Sequence, residues 1–199
     1  MPPPRYTLVA IILHWVMALG ILILAGIGLT MTHFNLAPLR LFQLYQLHKS
    51  IGLTILLAAI VRLAWRLAHR PPALPASMTR RARKAAEGGH YLLYFFLIAL
   101  PLAGWALVSA SVLDIPTVLY GVVPWPHLPI LSSLDNKKPV EDALKLVHAY
   151  GAWALIALVV GHAGAALHHH FIVKDDVLRR MLPGRRNLST PLNTEGFQP

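Results

Sequence analysis

Cysteine is absent from the chain. That absence excludes disulfides, thiolate metal ligands, iron–sulfur clusters and covalent haem attachment through Cys-x-x-Cys-His. Acidic residues are scarce, with 8 Asp and Glu against 18 Lys and Arg in 199 residues. Charged residues make up 13% of the chain, about half the ~25% of an ordinary soluble domain. Any metal must therefore be held by the 11 histidines, the few carboxylates or the methionines. No repeat of ~20–50 residues is present, which excludes a solenoid.

What remains is 56% apolar and arranged in long uncharged runs. Tyr6 to Leu39, Gly88 to Leu113 and Leu146 to Val173 carry no Asp, Glu, Lys or Arg. Leu41 to Trp65 carries only Lys49 and Arg62. Each exceeds the ~20 residues a helix needs to cross the hydrocarbon core. Backbone groups in lipid are satisfied only by helices or closed barrels, and continuous rather than alternating apolar runs select helices. The fold class is all-α: an integral membrane, four-helix up-and-down bundle, with spans near residues 8–31, 42–68, 90–110 and 143–171. One domain covers residues 1–183, and residues 184–199 read as a disordered cytoplasmic tail. The first run is much longer than the ~7–15 residues of a signal h-region and lacks a clean cleavage site after it, so it is read as a retained span. Pro71, Pro72 and Pro75 end the second span, and Pro116, Pro124, Pro126 and Pro129 break up the 3–4 connection. Pro139 with Glu141 and Asp142 marks a helix start. Pro101 is expected to kink the third span, with Gly104 admitting a close neighbour.

The net charge of +10 is not a nucleic-acid signature, because its location points elsewhere. Arg62, Arg66, Arg70, Arg80, Arg81, Arg83 and Lys84 cluster around the 2–3 connection, and Lys174, Arg179, Arg180, Arg185 and Arg186 follow span four. The opposite connections hold Arg40, Lys49, Lys137, Lys138 and Lys145, interspersed with Asp114, Asp135, Glu141 and Asp142. The positive-inside rule then places both termini in the cytoplasm. The basic edge also suits the anionic headgroups of the lipid bilayer.

Histidines inside the spans require a reason, because imidazole in hydrocarbon is costly unless something holds it. His148 and His162 are fourteen residues apart, which leaves them about 40° apart on one helix face and ~21 Å apart along the axis. His14 lies early in span one, near the inner side, and His48 lies early in span two, near the outer side. Span four runs from outside to inside, so depth pairs His14 with His162 and His48 with His148. Two facing imidazoles at each of two levels fit two six-coordinate haem irons. Zinc would want four protein ligands or a catalytic water with carboxylates around it, and the spans contain neither Asp nor Glu. A porphyrin needs only two axial ligands and an apolar slot, which Gly20, Gly26, Gly28, Gly52, Gly151, Gly161 and Gly164 would let form.

Ordered markers run along the chain: His14-Trp15; His48 with Ile51-Gly52 and Val61-Arg62-Leu63; His90, Tyr94 and Ala99 to Gly104; then His148, Gly151, His162, His168-His169 and Lys174-Asp175-Asp176. With these, the sequence resembles the bacterial cytochrome b561 family, related to the cytochrome b subunits of nickel–iron hydrogenases. The resemblance implies a diheme inner-membrane protein with two non-covalent haem b groups and His14, His48, His148 and His162 as axial ligands. It implies electron exchange with quinone, and within the family, oxidation of superoxide at the periplasmic face with reduction of ubiquinone. Lys49, Lys137 and Lys138 are the cations that would steer superoxide. The alternative is a membrane anchor carrying electrons from a partner dehydrogenase, hydrogenase or periplasmic cytochrome. A metal or proton transporter ranks last, for want of acids in the spans. His90 is expected to meet a haem propionate or water, with a quinone contact as the sharper reading. His169, ~10 Å beyond His162, is expected at a proton or quinone position. Arg62, Arg66 and Lys49 are expected either to pair propionates or to snorkel to headgroups. His127 and His33 read as solvated loop residues, and His69 as a headgroup-level residue.

Overall fold

The structure, a computed structural model, describes residues 5–75 and 77–183. Four helices are long and apolar enough to span a membrane. They are α1 (Leu8–His33), α2 (Pro38–Ala68), α3 (Arg80–Ser109) and, after a short α4 (Pro129–Ser132), α5 (Lys138–His168). A π-helical turn, His169–Val173, continues α5, and a 3-10 turn spans Arg179–Met181. Helix α2 packs on α1 and α3, and α5 packs on α3.

Local chemistry sets the helix ends. Thr7 and Thr79 cap α1 and α3, each accepting a hydrogen bond at 3.3 Å from the backbone N–H three residues on. Proline in the first turn begins α2 and α5, where its missing N–H costs nothing. Three helices start earlier than their spans suggest, α2 at Pro38 among them. Helix α3 begins at Arg80, because the basic stretch before Gly88 is helical although too charged for lipid. Helix α5 begins at Lys138, on the proline and acidic residues that mark its first turn.

The core sits between α1 and α2. Met17, Ile55 and Ala59 are buried together, with Leu24, Ile51, Ala58, Leu97 and Ile98 around them. Helix α5 buries only Glu141 and Leu155. Large apolar side chains such as Leu8, Leu19, Leu22 and Val160 point outward. In a bilayer that exposure carries no penalty, since lipid tails are as apolar as leucine, and helices associate instead through close packing and polar contacts.

The 3–4 connection contains a feature that its prolines did not announce. Strands β1 (Thr117–Leu119) and β2 (Val123–Trp125) form an antiparallel hairpin, pairing Thr117 with Trp125 and Leu119 with Val123. Its turn needs positive φ at Tyr120 (52°) and Gly121 (73°). Glycine adopts this freely, whereas a tyrosine there costs about 1–2 kcal/mol. Contacts to α2 offset that strain. The Tyr120 N–H donates to Ser50 Oγ at 3.0 Å, and its hydroxyl lies 2.7 Å from Thr54 Oγ1. Gln46 adds bonds to the Pro116 carbonyl (2.9 Å) and the Val118 N–H (3.3 Å). Gln46, Ser50 and Thr54 recur every four residues, so they form one stripe, on the opposite side of α2 from His48 by helical register. The hairpin satisfies a polar stripe that would otherwise face lipid.

Candidate functional site

At the hairpin end, His48 of α2 and His148 of α5 face one another. Their ring centroids are 6.2 Å apart and their planes are inclined at 71°. A backbone approach makes room for this. A Cβ on Gly104 of α3 would lie 3.0 Å from His148 Cε1, and one on Gly28 of α1 would lie 3.7 Å from His48 Cε1. Gly104 is thus close to His148, one turn beyond Pro101. The Nδ1 atoms of His48 and His148 are buried without a hydrogen bond.

The second level brings three imidazoles together. His14 of α1 and His162 of α5 have centroids 6.1 Å apart at 70°, and His90 of α3 lies 5.4 Å from His162 at 73°. Arg62 is within electrostatic reach of all three. Its Nε donates to the Tyr94 hydroxyl at 3.2 Å, and the Arg66 guanidinium sits 5.6 Å from the Tyr94 ring centre.

The spacing tests whether these pairs suit a shared metal. A ring nitrogen lies roughly 1 Å from its ring centre and a metal–imidazole bond is about 2 Å, so rings on opposite sides of one ion are about 6 Å apart. Both pairs meet that distance. Among the described residues, no group of three or more His, Cys, Asp or Glu forms a metal-binding cluster. Two imidazoles alone would hold an ion poorly, whereas an iron porphyrin supplies the remaining four nitrogens. The donor set therefore fits haem.

The other expected residues divide. His169 begins the π-helical turn, and its Nδ1 lies 2.6 Å from Asp175 Oδ2. Lys174 turns the chain back with φ 57°, and the Asp175 N–H donates to the His169 carbonyl at 3.2 Å. Such π-turns occur often at functional sites. Lys49 reaches the Pro116 carbonyl at 3.4 Å and has no carboxylate partner among the described residues. Lys137 and Lys138 are engaged instead: Lys137 with Asp114 at 3.2 Å, and Lys138 with Asp142. The Lys137 hydrogen bond and charge hold the Asp114 carboxyl below its ordinary range. Of the three lysines expected to steer an anion, Lys137 and Lys138 have carboxylate partners and Lys49 has none among the described residues.

His127 is not a solvated loop residue. Its side chain is 15% exposed, with Nδ1 3.5 Å from Asp114 Oδ1. His69 stacks on Trp65 with centroids 4.0 Å apart, and His33 bonds locally to Thr32 and Leu29. Sequence reasoning missed the carboxylate behind His169, although Lys174-Asp175-Asp176 stood among the quoted markers. It also missed the Gln46–Ser50–Thr54 stripe, whose four-residue spacing was the available signal.

A family model described as prokaryotic cytochrome b561 matches residues 5–184. Cytochrome b561 homolog 2 of Escherichia coli (strain K12) is 32% identical over 180 residues, covering 90% of this chain and 92% of that relative. Cytochrome b561 homolog 1 of the same organism is 28% identical over 184 residues, covering 92% and 99%. A Yersinia pestis protein named "Probable superoxide oxidase CybB" is 29% identical over 184 residues, covering 92% and 98%. Matched along nearly its whole length, and built as a bundle of four apolar helices, the chain belongs to the prokaryotic cytochrome b561 family of haem-binding, electron-transferring membrane proteins.

Proposed function

We propose that the protein carries electrons across the bacterial inner membrane through two b-type haems, between a donor at the outer face and the quinone pool. The observation that carries this reading is the pair of imidazole pairs, His48–His148 and His14–His162, at two depths of one bundle. Along α5 the two levels are ~21 Å apart, most of the ~30 Å hydrocarbon core. When bound, haem b supplies a reversible one-electron carrier at each level. His48 with His148 and His14 with His162 would hold the two haem irons, and haem held by two imidazoles would supply electron transfer rather than oxygen chemistry. Arg62 and His90 border the inner level and are suited to propionates. His169, its ring fixed by Asp175, offers a proton-carrying nitrogen at the basic end, where quinone reduction consumes protons.

At the outer face the proposed donor is superoxide, guided by Lys49 beside His48, and the acceptor is ubiquinone. Stopped-flow mixing of the pure holoprotein with superoxide, with and without ubiquinone, tests this. Fast stoichiometric haem reduction, relieved by quinone, is the expected result. The neutralised Lys137 and Lys138 favour a second reading, in which a docked redox protein supplies the electrons. No response to superoxide, with co-purification of a larger partner, would select it. In this proposal both termini are cytoplasmic, so a periplasm-dependent reporter should be active near Ser132 and silent after Pro199.

A further inference from the structure

At the basic end of the bundle, the start of α1, the end of α2 and Tyr94 of α3 enclose a cavity of about 50 Å³. Arg62, Arg66 and Arg70 line it together with Arg5, and no Asp or Glu does. Among the described residues no carboxylate lies within ion-pair distance of Arg62, Arg66 or Arg70. The walls are braced. Trp65 Nε1 donates to Thr7 Oγ1 at 2.8 Å, locking the end of α2 to the cap of α1. The Arg5 guanidinium donates to the Leu182 carbonyl at 2.7 Å, and Arg180 donates to the Ala73 carbonyl at 2.7 Å, so the 3-10 turn straps the same end. Arg62, Arg66 and Arg70 thus concentrate positive charge in the braced cavity with no carboxylate partner among the described residues.

We infer that this cavity binds the phosphate of an anionic phospholipid. Its volume has room for a few waters, or one phosphate head, and no ring system. It lies at the ends of apolar spans, the depth at which headgroups sit, with Trp65 and Tyr6 in its lining, as aromatic residues at an interface are placed. In the adjoining turns α1 exposes Leu8 and Ile12, and α2 exposes Leu57 and Val61, surfaces along which acyl chains would lie. Arg62 belongs with the imidazole level through its reach to His14 and His162. Arg66 is four residues further out, about 6 Å along the helical rise, and Arg70 lies two residues past the end of α2. They carry the proposal, and Arg62 is left for the propionates. Basic pockets between spans at a cytoplasmic face are suited to acidic headgroups on the same electrostatic ground. This inference rests on the membrane placement and the cavity alone, and it stands whichever donor and acceptor the protein uses.

The test is native mass spectrometry of the holoprotein released from nanodiscs of phosphatidylcholine with a minor share of phosphatidylglycerol. The wild type should retain one phosphatidylglycerol in preference to phosphatidylcholine. Arg66→Gln with Arg70→Gln should weaken retention about 25-fold, at roughly fivefold per basic residue near the surface, with haem content and spectrum unchanged. Lys84→Gln, the same loss of charge elsewhere on the basic end, should retain the lipid. Should the double variant misfold, the exposed Arg70→Gln alone should show the fivefold loss. Equal retention of both lipids, or an equal effect of Lys84→Gln, overturns the site. Displacement by inorganic phosphate as readily as by phosphatidylglycerol would make it a free-phosphate site instead. Loss of haem or a shifted spectrum with lipid retention intact would give the cavity to a propionate and overturn the inference.

Discussion

The two histidine levels share a spacing but differ in their surroundings. In the proposed orientation His48–His148 is the outer pair and His14–His162 the inner one. Among the described residues the outer pair has no third imidazole beside it, with glycine at its edge and a hairpin fastened to the far side of α2. The inner pair has a third imidazole at 5.4 Å, with Arg62 and the Arg62–Tyr94 bond beside it. Similar ring spacing therefore meets different charge. Positive charge favours the reduced, less positive form of a bound iron, so the inner level should have the higher potential, and electrons should run from the outer level to the inner one.

The sharpest break of this comparison is removal of the imidazoles proposed to hold the haems. His14→Ala and His162→Ala should alter the same redox-resolved haem component and spare the other. Their double variant should be little worse than either alone, because both act on one iron. His48→Ala and His148→Ala should do likewise for the second component. Non-additivity between His14 and His148, or a pyridine haemochrome ratio of one haem per chain, would refute the two-level assignment.

Next in size is Arg62→Gln. A unit charge acting over roughly 8 Å contributes about 2 kcal/mol at an effective dielectric of about 20, and charge at that range would move a one-electron potential by on the order of 50–100 mV. The inner potential should fall by that order while the outer one hardly moves, as measured by optical redox titration. An equal fall in both would remove the contrast between the levels.

His90→Ala sharpens the inner level. Since His14 and His90 both lie near His162, one of the two must be dispensable for ligation. The expected outcome is full haem content with a six-coordinate spectrum and a potential shift smaller than that of Arg62→Gln. A five-coordinate inner haem in this variant, with His14→Ala normal, would exchange their roles.

The smallest effect concerns the outer ion pairs. The Asp114 carboxyl is held low by the Lys137 hydrogen bond. A depressed folded-state value means that its stabilising contribution is present above the ordinary carboxylate range and is lost as pH falls through the folded value. Asp114 is exposed, so solvent screens the pair. Thermal melts from neutral to acid pH should show a slightly shallower acid-side loss for Asp114→Asn than for the wild type. An unchanged or steeper loss would show that the pair contributes nothing.

The amino-acid sequence by itself determined the solvent, the number of spans and the depth of each membrane histidine. Uncharged runs longer than the hydrocarbon core admit no other backbone than helix, and a fixed rise per residue converts position into depth. The depth pairing of His14 with His162 and of His48 with His148 was legible for that reason, and the fold brings the rings of each pair to 6.1 and 6.2 Å. Contacts between segments distant in the chain were decided only by the tertiary structure. Depth alone did not reveal that His90 of α3 shares the inner level with His14, because depth says nothing of direction around the bundle. Nor did charge count reveal that Lys137 and Lys138 are neutralised while Lys49 is not, since pairing depends on which carboxylates the folded loop brings near. The hairpin shows the same limit. Its strands are three residues each, too short for an alternating pattern to declare them, and they are held by hydroxyl and amide groups on α2 about 70 residues away in sequence.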